Sequence, residues 1–135
     1  MKETIPRISH HLILVVSLTA IAFCVFLSFI FINQESAIML VVFNLLFVSL
    51  TFPLKGTLIK KAYLLLIGNV AGLCWNYLLL LFAYCGVYYL GEFFNALYEI
   101  LSPFANLMWI VSFWSISLTA LSNSEKRKLG IRIDN

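Results

Sequence analysis

All nine lysine and arginine residues of this sequence lie outside four long apolar segments. They occur before the first segment, in the connection between the second and third, and after the fourth. The two other connections carry the carboxylates of Glu35, Glu92 and Glu99 instead. Because positive charge is retained on the cytoplasmic side during insertion, this alternation predicts a multi-pass protein of the cell membrane with both termini in the cytoplasm. The cations are Lys2, Arg7, Lys55, Lys60, Lys61, Lys126, Arg127, Lys128 and Arg132.

The four apolar segments fill most of the chain. We predict spans at residues 12–32, 37–54, 62–85 and 103–122, each near the length of about 20 residues that a hydrocarbon layer of about 30 Å requires. With 62% hydrophobic and 11% charged residues, a chain of 135 residues is too apolar for a soluble domain. The sequence therefore predicts an all-α integral membrane protein, folded as one antiparallel four-span transmembrane helix bundle.

The region between the third and fourth spans has two alternative interpretations. Apolar residues continue from Ala62 to Leu90, which is more than one perpendicular crossing needs. Either the third helix tilts or projects, or it ends near residues 84–86. Residues 91–101 separate apolar and polar side chains onto two helical faces, which predicts a short amphipathic helix at the outer interface. Ser102 as N-cap and Pro103 at the first helical position then predict the start of the fourth span, and residues 123–135 form a basic cytoplasmic tail.

Small and polar residues recur at helical spacing within each span. Lipid is as apolar as leucine, so membrane helices associate through close approach and interhelical hydrogen bonds. These residues are therefore predicted to form the packing faces of the bundle, and Gly68 and Gly72 form a G-x-x-x-G pattern. The alternative is that Asn44, Asn69 and Asn76 line a pore or a ligand site. The predicted packing residues are Ser17, Cys24, Asn44, Gly68, Asn69, Gly72, Asn76, Ser112, Ser115 and Thr119.

No Asp, Glu, Lys, Arg or His lies in the four predicted spans. Proton-coupled carriers and pumps need such a group at depth, because only it can take up and release the coupling proton. Axial haem ligation would need intramembrane histidines, whereas His10 and His11 lie at the edge of the first span. The three cysteines form no C-x-x-C pair. The sequence thus predicts no cofactor and no catalytic activity of its own.

One polar cluster has the chemistry to bind a metal ion. Glu92, Asn95 and Glu99 are spaced to share one face of the interfacial helix, and hard oxygen ligands on one face suit a cation or basic residues of a partner. The alternative is that they are simply the solvated side of that helix. Nucleic-acid binding is not expected, because insertion and anionic lipid account for cations that lie beside spans.

These exclusions favour a non-catalytic accessory or structural subunit, or an assembly factor, of a larger membrane protein complex. Its partners would be other integral membrane subunits in a hetero-oligomer, and the abundant tryptophan and phenylalanine side chains suit such contacts. The alternative is a homo-oligomeric channel or uniporter for a small neutral solute, lined by Asn44, Asn69 and Asn76. An enzyme acting on lipid would have only Glu92 and Glu99 to work with.

The charge alternation generates a test of orientation. Single cysteines introduced at Ser36 and Asn95 should react with a membrane-impermeant thiol reagent added outside intact cells, and one at Asn123 should not. The physical reason is that Lys55, Lys60 and Lys61 hold the middle connection on the opposite side from residues 36 and 95. Labelling at Asn123 in intact cells would show that the orientation is reversed.

Overall fold

The computed structural model describes residues 10–133, which form four helices and, within that range, no strand. Each helix is long and apolar enough to cross a membrane, which confirms the prediction of an all-α protein with four candidate spans. Lys2, Arg7 and the side chain of Arg132 lie outside the described part of the chain. The helices are α1 (His10–Phe31), α2 (Gln34–Thr51), α3 (Leu58–Leu90) and α4 (Glu92–Ile133).

The helices pack as two hairpins, α1 with α2 and α3 with α4. Helix α3 contacts all three others, whereas the described parts of α1 and α4 do not meet. Helices α2 and α3 therefore form the short diagonal of the bundle. We call the end that holds the α1–α2 and α3–α4 turns the acidic end, after Glu35, Glu92 and Glu99 beside those turns. The opposite end, where α2 passes into α3, is called the basic end.

The α1–α2 turn is shorter than the four residues, 33–36, that separate the first two predicted spans. Asn33 has an extended backbone and serves as the N-cap of α2, and its Oδ1 accepts a hydrogen bond of 2.8 Å from the backbone N–H of Ser36. This bond satisfies one of the free N–H groups at the helix start. Helix α2 consequently begins at Gln34, three residues earlier than predicted, and ends at Thr51, just before Pro53.

Helix α3 runs without interruption to Leu90, so the alternative of an end near residues 84–86 is wrong. The chain reverses at Gly91, whose φ of 73° is readily adopted only by glycine. Gly86 lies inside the helix, where a Cβ atom would come within 1.9 Å of the Phe94 ring. The glycine is therefore a contact site for α4 and not a break in α3.

Helix α4 is also continuous, so the prediction of a separate interfacial helix over residues 91–101 is wrong. Ser102 and Pro103 lie inside the helix instead of starting it, and the helix continues through the predicted tail to Ile133. Proline removes one backbone N–H and thereby one hydrogen bond, the one to the carbonyl of Glu99. Membrane helices tolerate this loss where neighbouring groups can satisfy the freed carbonyl. The local sequence signals of a helix start thus failed at this position.

The α3–α4 hairpin extends beyond the α1–α2 turn at the acidic end. Asn33 and Ser36 line the same cavity as Asn76, so the turn lies level with Asn76. Helix α3 continues for about 14 further residues, or about 21 Å at 1.5 Å per residue. We call residues 82–97 the hairpin tip. Its aromatic side chains are largely exposed: Tyr84 (74%), Tyr88 (84%), Tyr89 (80%) and Phe93 (78%).

The core lies where α2, α3 and α4 meet, and aromatic rings fill it. Gly68 and Gly72 form a notch in α3: a Cβ at Gly68 would lie 2.4 Å from Phe43 Cζ, and one at Gly72 would lie 2.5 Å from Trp109 Cζ2. The rings of Phe43 and Trp109 pack at a tilt of 44°, with centroids 4.9 Å apart. The G-x-x-x-G pattern therefore receives aromatic side chains from α2 and α4. The buried cluster comprises Phe43, Phe47, Leu65 and Ile110.

Lys61 closes the basic end of the bundle. Its side chain is buried, and its Nζ donates to the backbone carbonyls of Phe52 (2.8 Å) and Leu54. The same ammonium group lies 5.9 Å from the centroid of the Phe52 ring. Because helix C-termini present unpaired carbonyls and partial negative charge, a lysine here stabilises the end of α2. In the sequence analysis, Lys61 served only to predict the orientation of the chain in the membrane.

The glycine notch generates a prediction about packing. Gly72→Leu should destabilise the bundle by roughly 1–3 kcal/mol or more, because the new side chain would overlap Trp109 and Leu40. Val70→Leu is the matched control, since it introduces the same side chain two residues away at an exposed position. Thermal unfolding of both variants in mild detergent measures the difference. Equal unfolding midpoints would show that the notch is not a packing contact.

Candidate functional site

A cavity with a largely polar lining lies at the acidic end, between the α1–α2 turn and α4. It has a volume of ≈ 350 Å³. We call it the acidic-end cavity. Its polar lining comes from the start of α2, the middle of α3 and the Pro103 region of α4. The lining residues are Asn33, Glu35, Ser36, Ile38, Met39, Asn76, Tyr98, Glu99, Ser102, Pro103 and Asn106.

Asn106 is the least satisfied polar residue of this cavity. Its side chain is only 5% exposed, yet no hydrogen-bond donor in the described structure reaches its Oδ1. A buried carbonyl oxygen without a partner costs about 1–3 kcal/mol. The small-residue pattern of span four pointed to Ser112, Ser115 and Thr119, and Asn106 was not predicted. The sequence signal that could have identified Asn106 is that it is the only asparagine between Asn95 and Asn123, and so the only one in the fourth predicted span.

Asn76 contributes a second amide to the cavity. It is 3% exposed, and its Nδ2 donates to the carbonyl of Gly72 at 2.8 Å. Because the nitrogen is bound to the helix backbone, the amide offers its oxygen as the acceptor group toward the cavity. Asn76 was predicted either to pack or to line a site, and the structure places it both within the helix contacts and at the wall of this cavity.

Two carboxylates, Glu35 and Glu99, line the same cavity. Glu35 lies in the first turn of α2, where the helix dipole favours negative charge. No lysine, arginine or histidine occurs between residues 12 and 54 or between residues 62 and 125. The cations nearest in sequence among the described residues therefore belong to the basic end, and no positive side chain of that part of the chain lines the acidic-end cavity.

The predicted cluster of Glu92, Asn95 and Glu99 is divided in the structure. Glu99 lines the acidic-end cavity, whereas Glu92 and Asn95 are exposed residues of the hairpin tip and do not line it. The separation follows from length, because Glu92 lies about 10 Å farther along α4 than Glu99 at 1.5 Å per residue. Within the described residues, no three His, Cys, Asp or Glu side chains come together in a metal-binding group. Glu99 instead lines one cavity with Glu35, a common position that sequence spacing could not reveal.

Asn44 and Asn69 bind each other across the α2–α3 contact. Asn44 Nδ2 donates to Asn69 Oδ1 at 2.8 Å, and Asn69 Nδ2 donates to Asn44 Oδ1 at 2.7 Å. Each amide also donates to the carbonyl four residues earlier in its own helix, that of Leu40 or Leu65. Asn69 is fully buried. This reciprocal pair uses both amides within the bundle and leaves neither of them facing a free cavity.

The other predicted packing residues divide between buried and exposed faces. Cys24, Gly68 and Gly72 are buried, and Ser17 is half-buried. The three residues from span four, Ser112, Ser115 and Thr119, are exposed.

The face of α4 that packs lies on the side of the helix opposite the predicted one, about 180° away at about 100° per residue. A hydroxyl can satisfy itself on its own helix, as Thr119 Oγ1 does with the carbonyl of Ser115 at 3.0 Å, so it need not mark a contact. The buried residues of α4 are Asn106, Ile110, Ser117 and Leu121.

Comparison with known proteins gives no match: no family model, no curated protein and no solved structure corresponds to this chain. The interpretation of the site therefore depends on its own geometry.

The reciprocal asparagine pair generates a prediction about coupling. Asn44→Leu and Asn69→Leu should each destabilise the bundle by about 1–3 kcal/mol, because each leaves a buried amide unpaired. The double variant should lose less than the sum of the two, since both amides are then absent. Unfolding of all four proteins in detergent gives the coupling energy, and Asn95→Leu on the exposed tip is the control. Strict additivity would contradict the pairing.

Proposed function

We propose that this protein is a non-catalytic membrane subunit that assembles with other integral membrane proteins through its hairpin tip. The observation that carries the proposal is the exposure of Tyr84, Tyr88, Tyr89 and Phe93 on a helical hairpin that extends about 21 Å past the α1–α2 turn. Exposed aromatic side chains concentrated on one segment in this way are typical of a protein contact. Tyrosine is also among the residues enriched in interface cores.

The position of the tip relative to the bilayer supports this proposal. A hydrocarbon layer of about 30 Å accommodates about 20 residues of α3, counted from the basic end. Residues beyond about 81 would then lie in the headgroup region and outside it. Lipid tails cover the exposed aromatic side chains of α1 and α2, but they do not reach most of the tip. A neighbouring subunit would remove these rings from water.

The interior of the bundle favours a structural role over conduction of a solute. Below the acidic-end cavity, Phe43, Phe47, Leu65 and Ile110 form a packed cluster against Trp109 and Phe113. Asn44 and Asn69, which a channel would use as lining, hydrogen-bond to each other. A pathway through one copy of the chain would have to displace both the aromatic cluster and this pair. A homo-oligomeric channel or uniporter is the competing function.

The orientation that belongs to this proposal places the basic end in the cytoplasm and the hairpin tip outside the cell membrane. Lys55, Lys60 and Lys61 lie between α2 and α3, and Lys126, Arg127 and Lys128 lie near the end of α4, so these cations share one end of the bundle. Lys60 Nζ contacts Ser124 Oγ, which brings the two basic segments together. The partner would accordingly present its contact surface on the outer side.

The proposal predicts loss of partners when the tip is altered. Tyr88→Ala with Phe93→Ala should reduce the membrane polypeptides that co-purify from native membranes in gentle detergent, because the exposed rings would supply the contact area. Phe26→Ala with Phe29→Ala is the control, since these rings are exposed on α1 within a candidate span. Stoichiometric co-purification with wild type and control, and its loss in the tip variant, is the expected result.

Two outcomes would contradict the proposal. Equal recovery of partners by the tip variant and the control would show that the tip is not the contact. Solute flux through liposomes that contain only this chain, reduced by Asn69→Leu and Asn76→Leu, would favour the channel.

A further inference from the structure

Helix α3 has one continuous side that the other helices of the bundle do not cover. Between residues 61 and 77, every exposed residue of α3 belongs to a single series that steps alternately by four and three positions. The series begins at Tyr63 and continues to Tyr88, and all eight of its members are exposed. An average step of about 3.5 residues keeps such side chains on one side of a helix. We call these eight residues the α3 face.

Helices α1 and α4 flank the α3 face and leave it open. Both contact α3, and the described parts of α1 and α4 do not meet. The packed side of α3, which includes Leu65, Gly68 and Gly72, lies about 180° around the helix from this face at about 100° per residue. A second molecule can therefore approach the α3 face without disturbing the core of the bundle.

Tyrosine is concentrated on the α3 face. The sequence contains six tyrosines, and Tyr63, Tyr77, Tyr84 and Tyr88 belong to this one face. Helix α1 is also largely exposed, yet it contains neither tyrosine nor tryptophan. Tyrosine is enriched in the cores of protein interfaces and among the residues that supply most of their binding energy. The α3 face thus has the composition of a protein contact, which the lipid-facing surface of α1 lacks.

The exposed area of the α3 face is sufficient for a stable contact between two molecules. Its tyrosines are 49–84% exposed, which amounts to roughly 550 Å² at about 200 Å² for a whole side chain. Ile67, Val70 and Leu81 are 44–51% exposed and add to this area, as does Cys74. Each copy therefore offers close to the about 800 Å² per partner that a standard stable interface buries.

We propose that this protein forms a parallel dimer in which the α3 faces of two copies pack against each other. Identical charge patterns insert both copies in the same direction, and twofold symmetry places residues near the axis opposite their own counterparts. The α3 face contains no charged residue, and a tyrosine hydroxyl both donates and accepts hydrogen bonds, so two identical faces are compatible. Lys60, one turn before the face, contacts Ser124 of its own chain. The heptad period predicts a left-handed crossing of about 20°.

Lipid alone does not cover the whole α3 face. About 20 residues of α3 fill the hydrocarbon layer, so Tyr84 and Tyr88 lie beyond it in the hairpin tip, where a second copy removes them from water. Tyr89 lies about 100° around the helix from Tyr88, and Phe93 belongs to α4, so both remain free for another subunit. A packed helix pair of this kind leaves no path for a solute. The dimer therefore depends neither on the proposed contact with other subunits nor on the competing channel.

The cysteines of the chain provide a direct test. Cys74 belongs to the α3 face, Cys85 is exposed one position away from it, and Cys24 is buried. Three variants would each retain one cysteine, with serine at the other two positions. Copper–phenanthroline added to native membranes oxidises two thiols to a disulfide, with dioxygen as the electron acceptor. The variant that retains Cys74 should form a covalent dimer, because the two Cys74 thiols lie opposite each other near the twofold axis. The other two variants should remain largely monomeric.

Introduced cysteines separate a specific face from random collision. In a cysteine-free chain, Val70→Cys and Leu81→Cys lie on the α3 face and should give several-fold more covalent dimer than Leu78→Cys and Phe82→Cys. The second pair is the matched control, because Leu78 (57%) and Phe82 (60%) are more exposed than Val70 and Leu81 but lie off the face. Equal cross-linking at all four positions would overturn the proposal, and so would a cross-link from Cys74 to a different polypeptide.

The mass of the purified chain gives a measurement without cross-linking. Sedimentation equilibrium in mild detergent should give a mass of two copies for the wild type. Tyr77→Ala with Leu81→Ala should shift the population toward single copies, whereas Leu78→Ala with Phe82→Ala should not, since only the first pair removes contact area from the α3 face. Equal masses of the two double variants would contradict the proposed contact. Loss of other co-purifying polypeptides would concern the tip contact alone, so the two proposals can fail separately.

Discussion

The insertion of aromatic rings into the glycine notch of α3 is the contact on which the rest of this bundle depends. Lipid gives helices no hydrophobic reason to associate, so the association energy comes from close packing and a few hydrogen bonds. Gly68 and Gly72 let Phe43 from α2 and Trp109 from α4 approach the α3 backbone, which a Cβ atom would prevent. One helix thereby positions two others. The Asn44–Asn69 pair lies in the same α2–α3 contact. Its two reciprocal side-chain hydrogen bonds fix the rotation of both helices about their axes.

This packing makes the two ends of the molecule different. At the basic end, the Nζ of Lys61 binds the carbonyls that follow α2, so the end of that helix is satisfied from within the chain. At the acidic end, α2 starts beside α4 with Glu35 and Glu99 near one cavity and with the oxygen of Asn106 unpaired. The exposed hairpin tip lies beyond that cavity. Among the described residues, buried polar atoms without a partner occur along the bundle, from Thr51 at the end of α2 to Asn106 beside the acidic-end cavity. The exposed aromatic rings of the tip are the feature particular to the acidic end, and the proposed contact concerns that end for this reason.

The parts of this structure that depend on composition and periodicity could be predicted from sequence. The four apolar segments and the importance of Gly68, Asn69, Gly72 and Asn76 follow from hydropathy and helical spacing. The boundary at Ser102–Pro103 could not be predicted correctly, because local capping rules describe an isolated helix start and do not include support from neighbouring helices. Glu35 and Glu99 belong to different hairpins but line one cavity, and no local sequence pattern reveals that they do. The face of α4 was missed because serine hydroxyls can bond to their own helix, which makes small polar residues ambiguous markers of contact.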